Sequence, residues 1–162
     1  MQHIDKKYTP EEAFSRLSAR CATAECAPLD LIRKMEDWGL DETEQMTVME
    51  RLKKYKYVDE QRFASAYVRD KFQYSGWGKL KIMQGLRQKG ISGEVAARAW
   101  QEIPEEEYEA LLMRLLTTKS ESVRAASRFE KYGKLMRFAL SRGFEQWMVA
   151  DCLERLPQSD NS

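Results

Sequence analysis

The chain has 162 residues, and its 27 Lys and Arg against 26 Asp and Glu leave a formal net charge of +1 at pH 7. Hydrophobic residues make up 43% and charged residues 33%, which predicts a soluble protein with a buried core. No apolar stretch approaches the length of a membrane span, and residues 1–10 lack the apolar segment of a secretory signal. We therefore expect a cytoplasmic protein with no membrane partner.

The first third of the chain predicts three helices. Residues 9–12 (TPEE) combine a capping box with proline at the first helical position, which starts a helix. Pro28 opens a second helix, which ends at Gly39. A second capping box at residues 41–44 (DETE) starts a third helix.

The middle third repeats this pattern of three helices. Asp59 is a good N-cap ahead of an apolar stripe at helical spacing. Residues 76–78 (GWG) break that helix because glycine adopts the backbone angles of a tight turn. The next helix stops at Gly90, and Ser92 can cap the third.

The last third begins with Pro104 and three glutamates at residues 105–107, which favour a helix start because negative charge stabilises that end of a helix. Residues 120–134 are polar and basic; we predict helix there with a break at Gly133. Residues 142–144 (RGF) separate the last two helices.

Three glycines divide the chain evenly. Gly39 and Gly90 are 51 positions apart, Gly90 and Gly143 are 53 apart, and apolar residues recur at fixed offsets around each. The pattern predicts an all-α fold: an elongated, curved array of three tandem three-helix repeats, each resembling a helix-turn-helix unit. A single bundle with coincident spacings is the alternative. The predicted units are residues 9–56, 57–104 and 105–156, with flexible termini at 1–8 and 157–162.

Basic residues are concentrated in two blocks. The segment from Gln61 to Gly90 contains seven basic residues and one acidic residue, and the segment from Arg114 to Arg142 contains eight basic and two acidic residues. Each block therefore carries a local charge of +6. Such blocks suit an anionic partner bound at a chosen place. Ordinary solvated helix faces are the alternative, and Trp77, within the first block, could either contact a partner or pack on the next repeat.

No constellation for catalysis is present in the sequence. His3 is the only histidine, so neither a Ser-His nor a Cys-His pair is available near a helix or loop of the predicted core. Cys21, Cys26 and Cys152 have poor spacing for zinc and form no even disulfide framework. We predict a non-enzymatic protein without metal or cofactor, whose thiols are reduced.

The motifs of the middle third resemble those of RecX regulatory proteins. The similar segments are residues 57–64 (YVDEQRFA), 76–82 (GWGKLKI) and 86–91 (LRQKGI), with weaker likeness at 30–35 (DLIRKM) and 138–144 (FALSRGF). Lys79 stands where that family usually has proline. The likeness covers roughly residues 10 to 156 and is most specific in the middle third.

The resemblance implies a non-catalytic protein that binds the RecA recombinase filament in its helical groove. It also implies inhibition of RecA's ATPase, strand-exchange and co-protease activities, and so a part in DNA repair, recombination and the SOS response. A monomer with weak direct binding to DNA is expected, and a stand-alone helical DNA-binding protein is the alternative. The predicted contact residues for RecA and DNA are Arg62, Arg69, Lys71, Trp77, Lys79, Lys81, Arg87, Lys89 and Arg142.

Overall fold

The computed structural model describes residues 6–157, and all regular secondary structure in that range is helical. The predicted all-α fold is confirmed. None of the helices in the described range is long and apolar enough to cross a membrane. The helices there are α1 (Pro10–Cys21), α2 (Pro28–Asp37), α3 (Glu42–Lys54), α4 (Glu60–Gln73), α5 (Lys79–Gln88), α6 (Gly93–Trp100), α7 (Glu105–Ser122), α8 (Arg128–Ser141) and α9 (Gln146–Arg155).

The helix starts follow the capping signals of the sequence. Thr9 with Glu12 and Asp41 with Glu44 form complete capping boxes at the starts of α1 and α3. Asp59 Oδ1 accepts a hydrogen bond of 3.0 Å from the backbone N–H three residues later, at the start of α4. These bonds satisfy N–H groups that have no partner within the helix.

The break predicted at Gly133 is wrong, because α8 runs through this residue. The interruption lies earlier, at residues 123–127. The Ser127 side chain caps α8 by accepting a hydrogen bond of 3.1 Å from the N–H of Glu130. A serine three residues before a glutamate is a sequence signal for a helix start, and the polar, basic composition of residues 120–134 obscured it. A glycine inside a helix costs only about 1 kcal/mol relative to alanine, so a good cap upstream outweighs it.

The chain folds as two compact units. The first holds the chain up to Tyr67 together with Gly85–Ala99, and the second holds Val68–Gln84 together with the chain from Trp100 onward. The division into three repeats stays a prediction, and so does the flexibility predicted for the termini, of which residues 1–5 and 158–162 lie outside the described range. Buried core side chains include Leu17, Leu31, Met35, Val48 and Leu52 in the first unit, and Leu112, Leu116, Leu135, Phe144 and Val149 in the second.

The three evenly spaced glycines end three helices in the same way. Gly39, Gly90 and Gly143 have φ values of 82°, 85° and 95°, in the left-handed region that favours glycine. In each case the next residue donates its N–H to the carbonyl five positions back, which is the Schellman motif. The bonds are Leu40 to Met35 at 3.0 Å, Ile91 to Leu86 at 3.0 Å and Phe144 to Ala139 at 3.2 Å.

Within the first unit, the start of α2 packs on the glycine turn at the end of α5. We call this contact the first junction. The Leu29 N–H donates to the Lys89 carbonyl at 3.3 Å, and a Cβ atom on Gly90 would lie 3.1 Å from the Leu29 Cβ. Lys89 Nζ also pairs with Asp30 at 2.9 Å, so an ion pair accompanies the close backbone approach.

Within the second unit, the start of α5 packs in the same manner on the turn at the end of α8. We call this contact the second junction. The Gly78 N–H donates to the Arg142 carbonyl at 2.7 Å, and the Leu80 N–H donates to the Gly143 carbonyl at 2.9 Å. A Cβ on Gly78 would lie 2.4 Å from the backbone nitrogen of Phe144, so no larger residue fits there.

Tyr108 stabilises the second junction through two hydrogen bonds and ring packing. Its buried hydroxyl donates to Glu145 Oε1 at 2.5 Å and accepts from the Lys79 N–H at 2.9 Å, which joins α7 to the starts of α5 and α9. Its ring stacks on Phe144 with centroids 5.3 Å apart. Burial, with the hydrogen bond to Glu145, raises the pKa of Tyr108 above its ordinary value, so the hydroxyl stays protonated.

We expect Tyr108→Phe to lower the free energy of unfolding by about 2 kcal/mol, because it leaves the Lys79 N–H and the Glu145 carboxylate without their partner. Urea unfolding measures the change. Tyr132→Phe is the matched control: this half-exposed hydroxyl on α8 should change stability by less than about 0.5 kcal/mol. Equal losses in the two variants would contradict the role of Tyr108.

The free thiol of Cys21 is expected to lower the stability of the fold as pH rises through the alkaline range. Burial, with a contribution from neighbouring Cys26, raises the pKa of Cys21 to about 12. Since an unfolded thiol titrates near 8.5, the unfolded chain loses its proton first and the native state is disfavoured as pH rises beyond that value.

Between about pH 9 and 10 we therefore expect wild type to lose about 1 kcal/mol more stability than Cys21→Ala. Urea unfolding at a series of pH values gives both slopes. Because alanine cannot ionise, parallel pH profiles for the two proteins would show that Cys21 is not the responsible group.

Candidate partner-binding surface

The predicted contact residues are distributed over both compact units. The first unit holds Arg62, Arg87 and Lys89, and the second holds Arg69, Lys71, Trp77, Lys79, Lys81 and Arg142.

In the first unit, two of the three cations are already engaged. Arg62 forms an ion pair with Glu25 and also donates to two backbone carbonyls in the turn before α4, at 3.2 and 3.4 Å. The hydrogen bond to Glu25 raises the pKa of Arg62. Lys89 is paired with Asp30 at the first junction, whereas Arg87 is exposed on α5. These contacts give Arg62 and Lys89 a role in holding the unit together.

In the second unit, Trp77 lies close to two lysines. Lys71 Nζ is 4.8 Å from the centre of the indole ring and Lys81 Nζ is 4.5 Å from it, so both ammonium groups are within cation–π range. The Trp77 N–H donates to the Lys71 carbonyl at 3.0 Å, which fixes the turn after α4. The tryptophan is half-buried, so it both packs on its own unit and presents part of its ring.

Arg142 lies near this arrangement at the second junction. Its Nη1 donates to the Ser75 carbonyl at 3.3 Å, and its guanidinium lies 5.2 Å from the Phe138 ring. The same nitrogen is 3.7 Å from where a Cβ on Gly76 would be, so Arg142 lines the turn that carries Trp77. We call Lys71, Trp77, Lys81 and Arg142 the Trp77 surface.

The two junctions differ in charge at equivalent positions. Asp30 lies nine residues before Gly39, and Lys81 lies nine residues before Gly90, so the two occupy equivalent positions near the helix starts of the two junctions. Lys89 directly precedes Gly90, and Arg142 directly precedes Gly143, so these two are equivalent in the turns. The first junction therefore holds an ion pair, whereas the second has two cations at the same places. Because like charges cannot pair, the second junction keeps a net positive charge available to an anion.

The remaining two predicted residues are Lys79 and Arg69. Lys79 extends toward Trp100, with its Nζ 5.9 Å from that ring, and its backbone is held by Tyr108. Arg69 is exposed on α4. Within residues 6–157, neither has a contact that places it on the Trp77 surface.

Two exposed apolar side chains in this part of the chain were missed from the sequence. Tyr74 is 83% exposed just after α4, and Leu80 is 56% exposed in the first turn of α5. The sequence held a signal for Leu80, since Ile82 and Leu86 define the buried side of α5 and leave position 80 outside it. Both add apolar area to a region that is otherwise basic.

One group of side chains in the described residues has metal-ligand character. The ligand atoms of Glu109, Asp151 and Cys152 lie within 4.8 Å of one another. Arg155, however, bonds to Glu109, pairs with Asp151 at 2.9 Å and lies 3.4 Å from the Cys152 sulfur. The guanidinium occupies the place of a cation, and burial raises the pKa of the Cys152 thiol and keeps it protonated. We assign this group to stability.

A family model described as the second three-helix domain of RecX matches residues 59–99. The chain is similar to the regulatory protein RecX of Oceanobacillus iheyensis, with 26% identity over 133 residues, 82% of this chain and 48% of the relative. It is also similar to that of Amycolatopsis mediterranei, with 28% identity over 143 residues, 88% of this chain and 79% of the relative. For several relatives the chain spans only about half of their length.

Two crystal structures share the fold. The structure of RecX from Lactobacillus salivarius aligns with a TM-score of 0.82 at 16% identity, over 91% of this chain and 96% of that one. A crystal structure of a regulatory protein RecX aligns at 0.81 and 20% identity, over 90% and 71%. These two structures show a shared fold, and the match of the family model to α4–α6 and the relatives above show that the chain is similar in sequence to RecX regulatory proteins.

Proposed function

We propose that the protein binds the RecA recombinase filament on DNA in its helical groove and restrains its ATPase, strand-exchange and co-protease activities. It would thereby act in the cytoplasm as a non-catalytic regulator of DNA repair, recombination and the SOS response. One observation carries the proposal: the segment that matches the family, residues 59–99, contains Lys71, Trp77 and Lys81 of the Trp77 surface.

The geometry of this surface suits an anionic, extended partner. Two ammonium groups lie near one indole ring, and the ring is half-buried, so part of its side-chain freedom is already lost before binding. A partner that combines carboxylates or phosphates with a flat apolar group can satisfy both parts. A filament presents such sites repeatedly, and several contacts at once raise affinity beyond that of a single site.

The direct test is single-stranded-DNA-dependent ATP hydrolysis by the cognate RecA, titrated with this protein. We expect suppression at far less than one molecule per RecA protomer, with the required concentration rising as salt is added. Unchanged hydrolysis at a full equivalent would refute the proposed function.

The alternative is a stand-alone DNA-binding protein, favoured by the basic charge that the second junction retains. Naked DNA separates the two. A dedicated DNA binder holds naked DNA as tightly as RecA-coated DNA and with a steep salt dependence, whereas a filament regulator binds RecA-coated DNA far more tightly than naked DNA.

A further inference from the structure

The start of α8 exposes two aromatic rings on one side of the helix. Phe129 is 88% exposed and Tyr132 is 42% exposed. Residues three apart lie on the same helical face, so the two rings are neighbours. An exposed phenylalanine at the start of a helix contributes nothing to the core of its unit, whose α8 contribution comes from Leu135 and Ala139.

Gly133 and Arg137 extend this face along the helix. Positions 129, 133 and 137 follow the four-residue spacing of one helical side. Arg137 Nη1 lies 3.5 Å from where a Cβ on Gly133 would be, so its guanidinium lies back over the bare backbone toward the two rings. The glycine that does not break the helix thus leaves room for a planar cation beside them.

The surroundings of this face are basic and largely without carboxylate partners. Of the eight bases between Arg114 and Arg142, Lys134 is the only one with an ion pair among the described residues, to Glu130 at 3.2 Å. That pair is local to the helix start. Exposed or half-exposed bases close to the rings in sequence are Arg124, Arg128, Lys131 and Arg137.

We propose that this face of α8 binds single-stranded nucleic acid. Unpaired bases stack on Phe129 and Tyr132 and on the guanidinium of Arg137, while Arg124, Arg128 and Lys131 neutralise phosphates. Aromatic rings set among cations are the combination by which proteins hold single strands without reading sequence. A duplex has its bases stacked on one another and offers these rings little, so the single strand is the better occupant.

The site is distinct from the Trp77 surface, and the inference does not depend on RecA. The test is fluorescence anisotropy of a labelled oligothymidylate of about 20 nucleotides, with the full chain and no RecA. We expect Phe129→Ala to weaken binding about tenfold, since one stacking partner is lost. Trp147→Ala is the matched control: this ring is 67% exposed but follows Glu145 and Gln146 rather than a basic run, and its loss should leave affinity unchanged.

Charge is tested separately. Arg128→Glu with Arg137→Glu should flatten the dependence of log affinity on log salt by about 1.4, the value for two phosphates of a single strand. All these positions are exposed, and circular dichroism checks the fold. Tighter binding of a duplex of the same length, or equal affinity of Phe129→Ala and wild type, would overturn the proposal. Because RecA is absent from the assay, such a result leaves the filament proposal untouched.

Discussion

Gly143→Ala is expected to lower the free energy of unfolding by about 3 kcal/mol. At φ 95° an alanine is strained by roughly 1–2 kcal/mol. The added Cβ would also lie 2.4 Å from the Lys81 Cβ and 2.6 Å from its backbone nitrogen, so α5 must move away and the backbone hydrogen bonds of the second junction lengthen. Urea unfolding measures the loss.

Gly133→Ala is the matched control for this prediction. Its Cβ would meet only Arg137 Nη1, at an ordinary 3.5 Å, and the residue lies inside α8. We expect this substitution to raise the free energy of unfolding by about 0.5–1 kcal/mol, since alanine is the better helix former. A loss below about 1 kcal/mol for Gly143→Ala would show that α5 withdraws from the turn at little cost.

Lys71→Glu with Lys81→Glu is expected to raise the concentration that half-inhibits RecA ATP hydrolysis at least about tenfold. The double substitution turns two cations beside Trp77 into anions, so an attraction to carboxylates or phosphates becomes a repulsion. The ATPase titration of the proposed function is the measurement, and this prediction rests on that function.

The control changes the same amount of charge elsewhere. Arg33 and Arg98 are exposed in the first unit, and Arg98 has only a weak surface ion pair of 3.8 Å with Glu94. Arg33→Glu with Arg98→Glu should leave inhibition within about twofold of wild type. If both double variants lose inhibition equally, net charge and not the Trp77 surface would account for the effect.

The fold could be predicted largely because its signals are local. The capping boxes at Thr9 and Asp41 and the turn at Gly90 depend on residues within one helical turn, and each forms as expected. The break expected at Gly133 was wrong because glycine weakens a helix without ending it. The competing cap at Ser127, six residues earlier, decides where α8 begins.

The candidate site was less accessible from sequence because it depends on distant pairings. Arg62 forms an ion pair with Glu25, 37 positions earlier, and Lys89 forms one with Asp30, 59 positions earlier. A count of basic residues cannot separate these engaged cations from Lys81, which has no carboxylate at the equivalent place of its junction. The structure makes that distinction, while the roles of the predicted residues in binding stay predictions.

The two junctions also limit how this architecture can change by duplication or exchange of segments. Residues 59–99 match the family as one domain, yet they supply Gly90 to the first unit and Gly78 to the second. Removing that segment as a cassette would leave Leu29 without the turn that accepts its N–H, and Gly143 without the helix start packed on it. A transplanted segment must therefore bring a glycine turn and a fitting helix start together, so the transferable module is a junction and not a repeat.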